Sequence, residues 1–561
     1  MIILGISFLS DASACLLIDG KINVAISEER INRKKLWNGI PIKSVKKVLK
    51  IAGINMSDVD YIATHGTHLL KPDYEAFQRN IDKINSSNLS DDLKNIQLSA
   101  LDERYKKEMK IISERTPKYL EEIKKLGKKV CIYEHHQAHA ATAFFGSGWE
   151  QSYLLTADGW GEDGSGSFWN GLGLDMNKIS YTPTINSLGY FYGSITKSLG
   201  FTPHRHEGKV LGLAAYDVKQ KSYKTIKKMI SYDSENHSFS GDMHNGIYKP
   251  TYDNPQLNAA ISKYSREDVA SSAQKRLEEV IFEFLSGIDD KNIRISLAGG
   301  IFANVKVNQR VKDHPSVSDV YVFPNMGDGG LSIGAAWLAY SELTGKKPDA
   351  LDTAFLGNSV SDDQILIELK KTTLHYQKKT SINNEIANLL SKGEVVARVF
   401  GSMEFGPRAL GNRSILYQAT DSSVNNWLNK YLNRNEFMPF APMTLIDDVN
   451  EYYENINGGG LAAKYMTMTF DCTQRMVDEA PATVHVDRTA RPQFITEEDY
   501  PEMYEILSEY KKITGLSNII NTSFNMHEEP IVSSELDAIN SFCKSGIKWM
   551  ALGNYLVQNH I

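Results

Sequence analysis

The sequence predicts an α/β protein of two domains, and three observations carry that reading. Arg294 to Ala298 and Val320 to Phe323 read as strands that end in glycine turns and run into helices. That is the connection of an open sheet with its ligands at the carboxyl ends of the strands. A strand, acidic turn, strand pattern at the N-terminus returns at Ser152 to Leu174, an internal repeat of the kind a two-lobed nucleotide-binding fold with duplicated phosphate hairpins shows. At Gly345-Lys346-Lys347-Pro348-Asp349 the texture changes, which sets a boundary before a second α/β domain.

Taken in order, Ile2 to Ser7 is a strand, Ser10 to Ser13 a polar turn, and Ala14 to Ile18 and Lys21 to Ser27 are strands joined by Asp19-Gly20, a hairpin signal. Val45, Val48, Leu49 and Ala52 share one stripe and predict a helix from about Pro41 to Ala52. Val59 to Thr64 is a strand that ends at His65-Gly66. The segment of about 70–125 is rich in Lys, Glu, Asn and Asp at helical spacing and reads as an inserted, solvated helical segment. A strand at Lys129 to Tyr133 precedes the helix-forming run HHQAHAATAFF. Ser152 to Thr156 is a strand ending in the glycine-rich turn Asp158 to Ser167, followed by a strand from Phe168 to Leu174. Residues 266–286 form an amphipathic helix, and LSIGAAWLAY another helix after Gly330. In the second domain, helices near 361–371 and 382–392 lead to a strand from Glu394 to Phe400 and to GSMEFGPRALGNRSIL.

With 42% hydrophobic and 23% charged residues over 561 positions, the chain is neither disordered, collagen-like nor coiled-coil. A net charge of −6 provides no global electrostatic reason to bind nucleic acid. Cys15, Cys131, Cys472 and Cys543 are scattered without a C-x-x-C pair, which excludes a disulfide scaffold and a zinc ribbon. Cys131 and Cys543 lie in apolar runs and are assigned to the core. The apolar start lacks a basic n-region and is interrupted by Asp11 and Asp19, so it reads as strands rather than an export signal. No apolar run is long enough for a membrane helix, and the expected location is the cytoplasm.

If HHQAHAATAFF is helical, His135 and His139 stand at i and i+4 on one face, a spacing that can bind one metal ion or form a hydrogen-bonded pair beside a polar cleft. Asp158 and Asp328 each follow a strand and could complete a site for iron, manganese or zinc; Asp328 is alternatively a turn former. Glycine turns at Gly159 to Gly166, Gly299-Gly300 and Gly327 to Gly330 allow backbone to approach phosphate oxygens. No Walker A pattern and no strand–G-x-G-x-x-G–helix occurs, so neither a P-loop NTPase nor a Rossmann dehydrogenase is supported. The second domain carries Arg398, Glu404, Arg408, Arg413, Arg434, Arg488 and Arg491, then Asn521 to Asn525. Guanidinium groups in glycine-punctuated loops suit a small phosphorylated substrate, with surface ion pairing as the alternative for any one of them. A serine elbow is absent, and no cysteine nucleophile is supported.

EHHQAHAATAFF, LTADGWGEDGSGS, HEGKVLGLAAY, LAGGIFANVKVNQ, FPNMGDGGLSIGAA, FGPRALGNRSIL, MPFAPM and NTSFN occur in order along nearly the whole chain. Together they resemble the O-carbamoyltransferase family of nodulation and antibiotic-tailoring enzymes, the tobramycin carbamoyltransferase among them; the 70–125 stretch matches least. The family's glycine after LAAY is Asp217 here. The resemblance implies an actin-like ATPase (Kae1-like) two-lobed domain over 1–348 followed by a YrdC-like α/β domain over 358–561. It implies that the second domain joins carbamoyl phosphate and ATP, taken with Mg2+, into carbamoyl adenylate with release of pyrophosphate. The first would then pass the carbamoyl group to a hydroxyl of a small-molecule acceptor, a sugar or natural product, releasing AMP. By the same resemblance His135, His139, Asp158 and Asp328 are metal ligands, expected for Fe2+, with His139 and Asp158 also catalytic. Arg408 and Arg488 are expected to be catalytic and to handle phosphates. Asp11, Gly159, Gly161, Gly299, Gly300, Asn304, Gly327, Arg413, Arg434, Asn521 and Ser523 are expected to border the nucleotide and its co-substrate. No nucleic-acid or membrane partner is expected, and a homodimer is left open.

Two other readings compete. A small-molecule kinase of the same superfold would use the γ-phosphate of ATP and form ADP. A tRNA-threonylcarbamoylation protein would need tRNA, against which the net charge of −6 argues.

Overall fold

A computed structural model describes the chain except for residues 9, 67–73, 115, 162–163, 243–246, 250–251, 433–437 and 560–561. The chain separates into two compact units. One comprises Met1–Phe8, Cys15–Lys21 and Ile54–Leu351, and the other Leu9–Ala14, Ile22–Gly53 and Asp352–Ile561. The domain expected over 1–348 therefore lends two N-terminal segments to the second unit. Side chains account for this: Arg30 Nη2 donates to Gly406 O at 2.6 Å, and Arg33 donates to Ile531 O and Pro530 O, both at 2.7 Å.

Two five-stranded sheets carry the first unit's fold. The first is formed by β1 (Ile2–Ser7), β2 (Ser13–Ile18), β3 (Lys21–Ser27), β4 (Tyr61–His65) and β5 (Lys129–Tyr133), in the order β3-β2-β1-β4-β5. Next along the chain come β6 (Gln151–Gly161), β7 (Gly164–Leu172) and β8 (Asp175–Pro183), then the small hairpin β9 (Ile230–Asp233) and β10 (Ser238–Gly241). With β11 (Ile293–Ala298) and β12 (Val317–Val322), the second sheet has the order β12-β11-β6-β7-β8. Counted along the chain, both orders are third, second, first, fourth, fifth. In both, the first, fourth and fifth strands run parallel. The faint repeat of the sequence is thus a duplicated topology, and the unit has the two-lobed actin-like architecture that the family resemblance implies.

Two helices lie at the heart of this unit. In the helix Leu331–Thr344 every residue from Leu331 to Tyr340 is buried, as its apolar composition all round requires. The helix His135–Ser147 is buried along most of its length. A Cβ at Gly334 would stand 2.1 Å from Ala138 O, so only glycine lets the two helices approach this closely. That contact sets the height of the histidine-bearing turn.

The charged segment forms the helices Tyr74–Ser86, Asp91–Glu114 and Thr116–Lys125, while its residues 70–73 lie outside the described residues. It is not merely a solvated surface. Ile84, Leu89 and Leu101 are buried with Ile185, and Phe77, Ile81, Leu93 and Leu98 pack around them. Each such side chain contributes roughly 1.5–3 kcal/mol of burial energy.

The second unit is built on β13 (His375–Lys378), β14 (Val396–Val399), β15 (Arg413–Gln418), β16 (Ala441–Leu445), β17 (Phe470–Asp471), β18 (Thr489–Ala490), β19 (Gln493–Ile495), β20 (Asn518–Ser523), β21 (Trp549–Leu552) and β22 (Tyr555–Gln558). Apart from the small pair β17 and β18, they form one sheet in the order β13-β22-β21-β14-β15-β20-β16-β19. It is mixed: β14 pairs parallel with β21 and antiparallel with β15. Cys543 is exposed and Cys131 half-buried, against the expectation that both are core. Cys543 follows buried Phe542 on the helix Glu535–Ser545, and one helical step turns it outward. No helix of the described residues is long and apolar enough to cross a membrane.

Candidate functional site

The first unit gathers its chemistry where strands end. The helix His135–Ser147 follows β5 after one residue, so His135 and His139 leave its first turn on the same face, both buried. The expected strand Ser152 to Thr156 runs on to Gly161, and Asp158 lies within it. Its register against β7 slips between Ala157 and Gly161. Such an irregularity re-aims a side chain. The hydroxyl of Ser187 lies 3.0 Å from Asp158 O and 2.8 Å from Gly159 O, and it accepts from Tyr190 N, capping the helix Leu188–Ser198. Asp328 follows β12 in the short turn Asp328–Gly330 that opens the helix Leu331–Thr344.

These four side chains converge. His139 Nε2 lies 3.3 Å from Asp158 Oδ2 and 3.5 Å from Asp328 Oδ1. His135 Nε2 lies 3.6 Å from Asp328 Oδ1 and 4.0 Å from Asp158 Oδ2. One donor atom from each of the four falls within 4.8 Å of all the others. His139 Nε2 and Asp158 Oδ2 are buried yet make no hydrogen bond, a costly state for polar atoms unless a further group binds them. Two imidazoles and two carboxylates suit a divalent transition metal. Burial alone pushes the Asp158 carboxyl up, but the imidazoles of His135 and His139 outweigh it and hold the group well below the usual carboxylate range. His136 points elsewhere, with Nδ1 3.0 Å from Thr156 Oγ1.

The glycines assigned to ligand approach divide into two groups. A Cβ at Gly161 would stand 2.4 Å from the His135 ring, at Gly299 2.2 Å from Ala157 O, and at Gly300 3.0 Å from Asp158 Oδ1. The packing of the cluster itself explains these three. Gly327 has nothing within 4 Å of such an atom, and Gly159 only His204 and Tyr252 at 3.9 Å, so these two leave room. Asn304 caps the helix Val305–Lys312, and its side chain exchanges hydrogen bonds with Gln274, at 2.8 and 3.2 Å.

In the second unit the arginines separate by their partners. Arg413 is fully buried, and its N–H groups donate to Ser533 O, Phe400 O, Asn412 O, Asn358 O and Gly401 O. Five donors meet five carbonyls, which leaves Arg413 a structural role in place of the expected contact with nucleotide. Arg488 is exposed, with φ +61, and its Nη2 donates to Gln474 Oε1 at 3.0 Å. Arg408 is half-buried and its Nε has no hydrogen-bond partner. Burial lowers its pKa to about 10. Burial also lowers Arg491, and the charge of Arg408 lowers it further. Two guanidiniums whose charges act on one another suit an anion that both can meet. The charge of Arg408 thus acts on Arg491, whereas Arg488, expected to be catalytic and to handle phosphates, donates to Gln474. Nearby, Glu404 Oε1 accepts from Leu410 N, Asn412 N and Arg413 N. Asn521 Nδ2 donates to Ala409 O at 2.8 Å, and Gln493 Nε2 to Leu410 O at 3.0 Å, so the Arg408 turn is held from both sides. Ser523 Oγ donates to Asn525 Oδ1 at 2.6 Å. Asp11, with φ +48, belongs to the second unit, and Arg434 lies outside the described residues.

Family models described as carbamoyltransferase N-terminus and carbamoyltransferase C-terminus match residues 2–337 and 387–559. An uncharacterized protein of Methanocaldococcus jannaschii is 31% identical over 99% of both chains. Nodulation protein NolNO of Sinorhizobium fredii is 28% identical over 98% of this chain and 79% of its own. Among solved structures, HypF of T. kodakarensis aligns with a TM-score of 0.34 at 13% identity, covering 62% of this chain and 49% of that one.

Proposed function

Because this chain belongs to the carbamoyltransferase family, we propose that it activates the carbamoyl group as carbamoyl adenylate, from carbamoyl phosphate and ATP with Mg2+, before passing it to the hydroxyl of a small-molecule acceptor. The observation that supports two steps is the presence of two separate donor sets. The first unit holds the cluster of His135, His139, Asp158 and Asp328, and the second holds the guanidiniums of Arg408 and Arg491.

Atom balance defines the first step. The α-phosphorus of ATP gains a bond to a carbamate oxygen and pyrophosphate leaves; for that oxygen to be free, the phosphate of carbamoyl phosphate must leave as well, with water supplying the oxygen. Arg408 and Arg491 offer fixed positive charge to phosphate oxygens at that step. The turn that carries Arg408 is braced by Glu404, Gln493 and Asn521, so the donor is positioned before the anion arrives.

In the second step the acceptor oxygen attacks the carbamoyl carbon and AMP departs. AMP is a good leaving group from a mixed anhydride, so no covalent link to the enzyme is required. His135, His139, Asp158 and Asp328 would hold a divalent ion, Fe2+ in this reading. When bound, that ion supplies Lewis-acid polarisation and a lowered pKa for the attacking hydroxyl. Asp158, kept ionised by the imidazoles, adds negative charge that retains a cation. Burial of the two histidines limits water at the transfer step.

The test is product analysis with carbamoyl phosphate, ATP and a set of hydroxylated acceptors. One AMP, one pyrophosphate, one phosphate and one carbamate ester per turnover support the reading. Formation of ADP in step with product overturns it in favour of a kinase.

A further inference from the structure

We propose that His65 is a positioning residue for the His135, His139, Asp158 and Asp328 cluster, acting through Ser7 on Asp328 and edge-on against the ring of His135. The inference rests on reading that cluster as a metal site.

His65 ends β4, and Ser7 ends the neighbouring strand β1. Both are buried, His65 at 3% exposure and Ser7 at 0%. Ser7 Oγ donates to Asp328 O at 2.9 Å and lies 3.1 Å from His65 Nε2. A serine hydroxyl has one proton. Since Asp328 O takes it, Ser7 Oγ accepts from His65, and Nε2 is the nitrogen that carries hydrogen. The relay runs from His65 N–H to Ser7 O–H to the Asp328 carbonyl, each bond polarising the next. Its far end fixes the backbone from which the Asp328 carboxylate reaches His135 and His139.

The ring of His65 is held on further sides. It stacks on Phe8 with centroids 5.4 Å apart and meets His135 edge to face, also at 5.4 Å. His135 in turn lies 4.7 Å from His139. Phe8 is met from outside by Tyr119, at 5.8 Å, from the helix Thr116–Lys125 of the charged segment. The side chain that braces two candidate ligands is therefore itself braced by the inserted helices. An ordinary core histidine explains the burial, but not a hydrogen-bonded path to one candidate ligand combined with ring contact to another.

The test uses the full-length protein loaded with Co2+ and reads the visible absorption of the ion and its transfer to a competing chelator, with thermal unfolding alongside. His65→Phe keeps the stack and removes the hydrogen bond. His65→Gln keeps an N–H donor, and Ser7→Ala cuts the relay in the middle. Outer groups of this kind typically carry about 10- to 100-fold in metal affinity. His65→Phe and Ser7→Ala are expected to lose Co2+ at least about 10-fold more readily, with a changed absorption band, and His65→Gln to lie nearer the unaltered protein. If the unaltered protein holds Co2+ and either folded variant, His65→Phe or Ser7→Ala, binds it within about twofold of that, against the range for outer groups, the inference is overturned and the metal site stands. If the unaltered protein takes up no Co2+, both fall.

Discussion

His139 Nε2 and Asp158 Oδ2 face each other at 3.3 Å, both buried and neither hydrogen-bonded. Atoms so placed are poised for a shared cation, and the two residues come from different elements, a helix after one sheet and a strand of the other.

Removing one of them should divide the reaction. His139→Ala is expected to lower carbamoyl transfer by roughly 100-fold or more, since Lewis-acid assistance is worth several kcal/mol. Adenylate formation, measured as exchange of labelled pyrophosphate into ATP, should stay near the unaltered rate. Equal loss of both activities in a folded protein would contradict the division of labour between the units. Prolonged chelation, followed by assay with Mg2+ restored, should act as the substitution does, and added Fe2+ should reverse it.

The arginines should sort by their surroundings. Arg408→Ala and Arg491→Ala are each expected to slow adenylate formation about 100-fold or more, as loss of a preorganised donor does. Both should still transfer from supplied carbamoyl adenylate. Arg488→Ala should retain turnover and change stability by no more than about 0.5 kcal/mol, because its side chain is exposed. Pyrophosphate exchange on the three variants distinguishes these outcomes.

Arg413 should behave as a structural residue. Arg413→Ala removes the donors of five carbonyls and is expected to cost about 3 kcal/mol or more, seen as a lower unfolding temperature or loss of folded protein. Arg413→Lys should restore little, since an ammonium cannot span that fork of acceptors.

Asp448 carries a pH dependence. Burial raises its carboxyl, but hydrogen bonds from Lys511 and Ser517 prevail and lower its pKa below the ordinary value. A carboxylate depressed in the folded state stabilises above its unfolded pKa, and the contribution is lost as pH falls through the folded value. Asp448→Asn should therefore destabilise at pH 7 by about 1 kcal/mol, a modest figure because Lys511 is partly exposed. The difference should fade as pH falls below about 4, the ordinary range for aspartate, when denaturation midpoints are compared across pH.

Much of the candidate site was legible in the sequence where the physics is local. Helical spacing alone puts His135 and His139 on one face. Strand and glycine-turn patterns marked Asp158 and Asp328 as residues near strand ends, and the repeat of strand patterns pointed to the duplicated sheets. Arg488 and Arg491 could not be told apart in this way. The positive φ at Arg488 and its bond to Gln474 depend on how the loop folds back, not on residue type. Arg413 read as a phosphate ligand because saturating it takes carbonyls from Asn358 and Ser533, far away in the chain, and a fold-back of the loop at Phe400, Gly401 and Asn412.

The sequence by itself determined the element types, the family motifs and which residues could ligate a metal or meet an anion. These follow from short-range periodicity and side-chain chemistry. Only the tertiary structure decided which of them meet. It brought four donor atoms within 4.8 Å of one another, placed Ser7 and His65 behind them, and grouped residues 22–53 with the second unit. The reason is physical. The ligand set is closed by residues as far apart in the chain as His135 and Asp328, whose proximity is set by sheet order and helix packing, and neither leaves a trace in local spacing.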